Sequence, residues 1–519
     1  MTLMDIQIAV DASDLSLWIK NLCKSLETQI NARVSIVLSD QKSPTDHHPA
    51  LKSLLSLEKV VLKRNGTCWS DRIFRNEVQD WMHEVPSKAP DLIIDLTAAR
   101  IINSTARIYR PLFNGFSGEF GLASALFFCG TPQIDIEYIA PSSEQGYILG
   151  SGVASLESAS GIGGAMEAVW SRVLSLLIKC LNKTSLPQPS IEPAHSYQCR
   201  RINYSDHLTR SSKNLAESIA RTAYNLCCHS PYWHIGWRKV GLKDDVWSRR
   251  DLGGVRWNVL ACPMDRFYAD PVPFRWQSRD YLFFEELDYK TQKGIISAVA
   301  FDENSQPGEV IPVLEEPWHL SYPFIIEDNG EIWMIPEASL SGKITIYKAT
   351  KFPFSWEPYA TLVSDVEAAD ATIIVKDNRY WMFAVIRDGN GGYSDTLAIW
   401  SADKLLGPWQ EHAKNPLIVN DRTARPAGNM IWRDDKLYRP IQDCRNGYGA
   451  ALNLARVTKL DDESFEQVIE THLSPNVNWP GRKLHTLNSN GHLEVIDGSL
   501  LRPKLPVAAK FMNYLFRPK

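Results

Sequence analysis

Hydrophobic positions in the first third of the chain follow two alternating spacings. IQIAVDA (6–12), ARVSIVLSD (32–40) and DLIIDLTA (91–98) are short, nearly continuous apolar runs. Runs of that kind predict strands buried on both faces of a sheet. Between and after them, SLWIKNLCKSLETQI (16–30) and SASGIGGAMEAVWSRVLSLLIKCL (158–181) carry apolar residues at helical spacing, the second behind a small, polar start. PQIDIEYIA (132–140) and GYILGSG (146–152) add two more strands. Alternation of strand and helix predicts an α/β domain over 1–182 with an open, mostly parallel sheet. LNKTSLPQPSIEPAHS (181–196) has three prolines and no period, so 183–232 is expected to be linker plus a helix near 209–228.

Beyond residue 233 the pattern changes to short strands broken by DG, NG, DN and GG turns. Five segments share one layout: DPVPFRWQSRDYLFFEE (270–286), YPFIIEDNGEIWMIPEAS (322–339), DATIIVKDNRYWMFAV (370–385), RPAGNMIWRDDKLYRPIQD (425–443) and HTLNSNGHLEVIDG (485–498). Each has a polar or small start, an apolar strand, a charged tight turn and an aromatic-rich strand. A repeat of about 50 residues is one four-stranded blade of a β-propeller. A second hairpin is visible in GKITIYKATKFPFSWEPY (342–359) and DTLAIWSADKLLGPWQEH (395–412), with Trp356 and Trp409 at matching places. An all-β five-bladed propeller over 233–505 follows, preferred to a sandwich because sandwiches lack this period. WHIGWRKVG (233–241) is expected to close the ring against the last blade.

Composition narrows the function classes. With 56 basic and 60 acidic side chains the net charge is −4, and no basic block occurs, which argues against a nucleic-acid partner. The N-terminal residues lack the pattern of a secretory leader, and no apolar run reaches the roughly 18 residues of a membrane span. The nine cysteines are scattered without a CxxC pair, so reduced thiols and a cytoplasmic location are expected, and structural zinc is not. The 17 tryptophans concentrate in the second half, where they suit blade cores or a sugar-stacking surface.

The candidate chemistry lies where the innermost strands begin, because those starts converge on one channel. Asp270, Tyr322, Asp370, Arg425 and His485 occupy them. Asp370 enters an apolar strand between alanines, a setting that alters a carboxylate pKa unless it is paired. Glu337 ends the second strand of its blade and could join the two aspartates; two carboxylates about a sugar are the minimum for glycosyl chemistry. Arg425 and Arg387 suit a phosphate or carboxylate, with a salt bridge to a neighbouring Asp equally expected for Arg425. Gln442, Asp443 and Tyr448, and His319 and Ser321, could read hydroxyl groups. Trp318, Trp276 and Trp381 could stack on sugar rings, core packing being the better expectation for Trp381. A divalent cation near His485 is allowed but not required. SGIGGAME (159–166) lacks the spacing of a phosphate loop and is read as turn and cap. LPVAAKFMNYLFRPK (505–519) mixes apolar and basic residues at helical spacing, so an amphipathic tail over 506–519 could contact the inner face of a membrane.

The series YADP…YLFFEE, HLSYPF…MIPEAS, ADATII…WMFAV, ARPAG…YRPIQDC and HTLN…VIDG resembles the propeller region of the plant glucosamine inositolphosphorylceramide transferases and their bacterial relatives, over about 233–500. In the plant enzymes a separate glycosyltransferase domain follows; no such domain is expected here, so the named activity is not carried over from the resemblance. The layout is also similar to the five-bladed glycosidases of arabinan, xylan and fructan. That resemblance implies a base or nucleophile at Asp270 and a charge-stabilising Asp370. The acid Glu expected on blade four is replaced by Arg425, leaving Glu337 as the substitute acid and an anionic donor for Arg425. The first domain is similar to the formyltransferase fold of folate-dependent enzymes, but residues 103–120 contain no His, so formyl transfer is not expected. The resulting expectation is a glycosyltransferase of polysaccharide or glycolipid assembly using a nucleotide-sugar donor. The alternatives are a glycoside hydrolase, a non-catalytic glycan-binding protein and, last, a sugar N-formyltransferase.

Overall fold

The computed structural model describes residues 3–39, 49–61, 68–82, 89–102, 104–182, 199–241 and 243–515. Most of the expected linker, 183–198, lies outside the described residues. The chain forms two compact units: Met1–Ala216 with Asp388–Gly392, and Glu217–Arg387 with Tyr393–Lys519.

The first unit is a seven-stranded sheet flanked by helices. In chain order its elements are β1 (Met4–Asp11), α1 (Leu17–Gln29), β2 (Ala32–Ser39), α2 (Pro49–Val61), β3 (Leu92–Asp95), β4 (Arg107–Phe113), β5 (Phe116–Ser117), α3 (Gly118–Phe128), β6 (Gln133–Ile139), β7 (Gly146–Val153) and α4 (Gly161–Leu181). The strand order is β2-β1-β3-β4-β6-β7, with β5 paired to β4. β1, β2, β3 and β4 run parallel, whereas β4 with β6 and β6 with β7 are antiparallel. The expectation of a mostly parallel sheet is therefore corrected to a mixed one. The loop between β6 and β7 is too short for a crossover and makes a hairpin instead. β4 escapes sequence reading because Arg107, Arg110 and Pro111 interrupt its apolar pattern. α4 is long and apolar enough to cross a membrane, but 72% of its apolar window is buried within the fold.

The second unit begins in the latter half of α5 (Tyr204–Cys227), followed by β8 (Cys228–His229), β9 (Trp233–Lys239), the short α6 (Val246–Arg249) and β10 (Asn258–Val259). Five sheets follow the repeat. Blade one is β11 (Arg266–Trp276), β12 (Arg279–Asp288), β13 (Lys293–Phe301) and β14 (Pro307–Leu314). Blade two is β15 (Ser321–Asp328), β16 (Glu331–Glu337), β17 (Lys343–Lys351) and β18 (Ser355–Ser364). Blade three is β19 (Ala368–Lys376), β20 (Arg379–Ile386), β21 (Thr396–Ala402), β22 (Gln410–Glu411) and β23 (Ile418–Val419). Blade four is β24 (Ile431–Arg433), β25 (Lys436–Asp443), β26 (Ala451–Leu460) and β27 (Phe465–Leu473). Blade five takes β28 (Leu487–Ser489) and β29 (Leu493–Ser499) from the end of the repeat and β9 and β10 from before it. β29 pairs antiparallel with β9, from Leu493 opposite Lys239 to Ser499 opposite Trp233, and this closes the ring. β30 (Arg502–Pro503) and α7 (Pro506–Leu515) complete the unit.

The ring is held by five apolar clusters, each shared by two neighbouring blades. Phe283 and Ile296 of blade one meet Met334 and Trp356 of blade two. Blades two and three share Trp333, Ile346, Met382 and Trp400. Blades three and four share Phe383, Ile399 and Leu437. Blades four and five share Leu454, Trp479 and Ile496, and blades five and one share Trp237, Val495, Leu282 and Phe284. Because both faces of every sheet are covered by a neighbour, the strands carry apolar residues on both sides. Trp356 and Trp409 play the same local role: each indole N–H donates to a carbonyl of the preceding turn, that of Pro353 and that of Leu405.

Candidate active site

In blades one, two and three the innermost strand breaks register at the same place: Ala269/Val272, Ser321/Phe324 and Ala369/Thr372. The break holds Asp270, Tyr322 and Asp370, with φ of 51°, 42° and 56°. A non-glycine residue in the left-handed region is uncommon, and a bulge re-aims its side chain. Three polar side chains are thereby turned across blade boundaries. Asp270 sits four residues into β11 and Asp370 two residues into β19, in strands that begin earlier than the repeat pattern suggested.

Asp270 faces His485 and Asp497. His485 Nε2 donates to Asp270 Oδ1 at 3.0 Å, and Nδ1 donates to Asp497 Oδ1 at 2.8 Å. Asp497 also accepts the amides of His485, Thr486 and Asp270, at 3.3, 2.9 and 3.0 Å. Burial alone would lower the His485 pKa. The Asp497 and Asp270 carboxylates overrule it and raise it to about 10, so the ring is an imidazolium at neutral pH. Trp233 lies against that ring, centroids 4.1 Å apart. The three side chains offer ligand atoms within 4.8 Å of one another. With both ring nitrogens protonated, however, His485 has no lone pair for a cation. A divalent cation would bind here in place of a ring proton, with Asp270 and Asp497 as its carboxylate ligands.

Asp370 faces Arg425. Arg425 Nε donates to Oδ2 at 2.6 Å and Nη2 to Oδ1 at 3.3 Å, while Nη1 reaches the Tyr393 carbonyl at 3.2 Å. Gln442 Nε2 donates to Asp370 Oδ2 at 3.2 Å, and Glu337 stands 3.8 Å from Arg425 Nη2. Burial raises the Asp370 pKa; the guanidinium opposes the rise, and the Glu337 and Asp270 carboxylates add to it. Tyr322 bonds to Thr372 at 2.9 Å, tying blade two to blade three. The Tyr448 ring lies 4.7 Å from the Arg425 guanidinium and 5.3 Å from the His485 ring, an aromatic wall common to both clusters.

A third pair, Glu285 and His319, adjoins them. The Gly294 amide donates to His319 Nδ1 at 3.0 Å, so Nε2 carries the proton and directs it to Glu285 Oε1 at 3.2 Å. Burial raises the Glu285 pKa, His319 opposes the rise, and Asp270 adds to it.

Of the residues expected at the site, Asp270, Tyr322, Glu337, Asp370, Arg425, Gln442, His485 and His319 are gathered in this region. Asp443 is not joined to the Asp370 cluster: the alternation of β25 turns it from Gln442 toward Arg445, which it meets at 2.7 Å. Arg387 sits at the exposed end of β20 against Glu367 at 3.2 Å. Trp276 and Trp318 pack on the core between blades one and two, and Trp381 is buried between blades three and four. Glu285, Asp497 and Trp233 were missed. The available signal was an acid inside an apolar strand, FFEEL and VIDG.

In the first unit two polar positions are filled by the chain's own side chains. The Glu58 carboxylate accepts the Ile162 and Gly163 amides at the start of α4, at 3.0 and 3.1 Å. A Cβ on Gly161 would lie 2.5 Å from that carboxylate, which explains the glycine. From the middle of β4, Arg110 binds Asp95 at the end of β3 at 2.9 Å and Glu137 of β6 at 2.8 Å. Asp14, buried beside a cavity of about 360 Å³, is pushed up to about 7 by burial and by Glu119, against the pull of Arg72.

Residues 259–499 match the family described as glucosamine inositolphosphorylceramide transferase 1, N-terminal. The chain is 32% identical over 246 residues to glucosamine inositolphosphorylceramide transferase 1 of Oryza sativa subsp. japonica, covering 45% of this chain and 33% of that protein. It is 31% identical over 246 residues to the Arabidopsis thaliana protein of the same name, covering 45% of this chain and 32% of that protein. The chain thus spans about a third of the length of these relatives. Among solved structures, the family 117 glycoside hydrolase Zg3597 of Zobellia galactanivorans aligns with 51% of this chain and 90% of its own, at 12% identity and a TM-score of 0.34.

Proposed function

We propose that the propeller channel is a carbohydrate site that transfers a glycosyl group from an activated donor in glycolipid or polysaccharide assembly. The observation that carries this reading is the convergence of Asp270, Glu285, Glu337 and Asp370 from three blades, in the stretch that matches proteins named glucosamine inositolphosphorylceramide transferase 1. Asp270, aimed by the His485 N–H, takes the proton of the acceptor hydroxyl as that oxygen attacks the anomeric carbon. Glu337 faces the departing group. Asp370 and Gln442 hold the Arg425 guanidinium beside Glu337. His319 positions Glu285.

One observation favours a second reading, hydrolysis of an unactivated glycoside. The Arg425 Nε and Nη atoms already meet Asp370 and Tyr393, which leaves less of that fork for a donor phosphate. We read the first unit as a formyltransferase-like scaffold without transfer chemistry, supported by the Arg110 network that fills the end of β3. The scattered cysteines support a cytoplasmic setting.

The test incubates the protein with nucleotide sugars plus glycan acceptors, and separately with oligosaccharides alone. Nucleotide release that needs an acceptor supports transfer; release of free sugar from oligosaccharides alone favours hydrolysis. In either case Asp270→Asn should lower turnover by about 100-fold or more. Full turnover in both Asp270→Asn and Glu337→Gln would overturn the assignment. Saturable glycan binding without turnover would reduce the channel to a binding site.

A further inference from the structure

We propose that the end of α5 and the segment 502–512 form a docking surface for an anionic lipid bilayer. The two segments are fixed to each other within the second unit. β8 and β30 pair antiparallel, Arg502 opposite His229 and Pro503 opposite Cys228. The Lys504 amide then donates to the Cys227 carbonyl at 2.9 Å, and Lys504 Nζ donates to the Asn225 carbonyl at 2.6 Å. This clamp holds Leu226 and Leu505 in adjoining segments, each 72% exposed.

α7 continues the surface. Val507 and Phe511, four residues apart and so on one face of the helix, are 82% and 61% exposed, whereas Ala509 is buried. α7 therefore packs Ala509 against the fold while Val507 and Phe511 face solvent. Ile219 lies two turns before Leu226 on α5 and is also exposed. Hiding Ala while exposing Val and Phe is the reverse of what water selects, and it needs a second apolar phase.

Charge identifies that phase. Among the described residues of this surface Lys504, Lys510 and Arg221 are exposed, Arg502 is buried beneath it, and neither 218–229 nor 498–515 contains an acidic residue. The chain as a whole is at −4, so the basic character belongs to this surface rather than to the molecule. Apolar side chains flanked by Lys and Arg suit the boundary between acyl chains and anionic headgroups. A second copy is the poorer occupant, since a two-fold contact would set this basic surface against itself.

The experiment is co-sedimentation of the full chain with phosphatidylcholine vesicles containing about one third phosphatidylglycerol, and with pure phosphatidylcholine. Binding is expected on the anionic vesicles and about tenfold weaker on neutral ones. Val507→Asp with Phe511→Asp should abolish it, and Lys510→Gln should weaken it about fivefold, the effect of one basic residue at such a surface. These side chains are exposed, so unchanged thermal unfolding of the variants checks that the fold is intact. Absence of binding to anionic vesicles, or binding that the double substitution leaves untouched, overturns the proposal. So does a dimer in solution that the same substitutions dissociate without any vesicle binding.

Discussion

Replacing His485 with Gln should make the stability of the propeller lose a specific dependence on pH. The ring is fully buried between Asp270 and Asp497, and its pKa moves from an ordinary 6.5 to about 10. That change corresponds to about 5 kcal/mol of preference for the charged ring in the folded state. Because the folded value is the higher one, the contribution is fully present below pH 6.5 and is lost as pH rises through about 10. Glutamine cannot supply the charge, and it leaves two buried carboxylates facing each other, so the variant should be about 3–5 kcal/mol less stable near neutrality. The assay is guanidinium unfolding of both proteins at pH 6, 8 and 10.5, followed by tryptophan fluorescence, with Trp233 against the ring as a local reporter. The stability difference should shrink by several kcal/mol between the lowest and highest pH. A difference that is the same at all three pH values would refute the imidazolium.

Three further outcomes are expected. Arg425→Ala strands the buried Asp370 carboxylate and should cost about 3–5 kcal/mol by denaturant unfolding, with Arg425→Ala/Asp370→Asn recovering part of the loss. Asp14 has a folded pKa of about 7 against an ordinary 3.8, so its favourable contribution exists below about pH 4 and disappears as pH rises through 7. Asp14→Asn should therefore raise the melting temperature of the first unit at pH 8 more than at pH 5, as calorimetry would register. Phe283→Ala opens a cavity between blades one and two and should destabilise the propeller by about 3–5 kcal/mol, measured by the same denaturant titration.

The blades are legible in the sequence because each is local. A hairpin is specified by its turn residues and by the apolar positions flanking them, and its recurrence at about 50 residues marks the ring. The closing strand was legible because WHIGWRKVG is a strand-like run just before the first repeat, and β29 pairs with it. In the first unit the buried parallel strands announced themselves as apolar runs. β4 did not, because Arg110 lies inside it and is satisfied by Asp95 and Glu137, partners 15 and 27 residues away.

The site divides along the same line. Its members at strand starts could be picked out as polar residues where a core would exclude them. Their pairing could not. Asp270 meets Asp497 across 227 positions and Asp370 meets Arg425 across 55, joined by ring closure and by the left-handed bulges at Asp270, Tyr322 and Asp370. Those bulges carry Asp and Tyr in place of glycine, so composition does not reveal them. Likewise the sequence alone left Arg425 equally suited to a donor phosphate or a neighbouring Asp, and only the fold, by placing Asp370 2.6 Å from its Nε, set the guanidinium on that carboxylate. Local pattern determined the five blades and the buried parallel strands; the choice of charge partners rested on distances that exist only once the ring is closed.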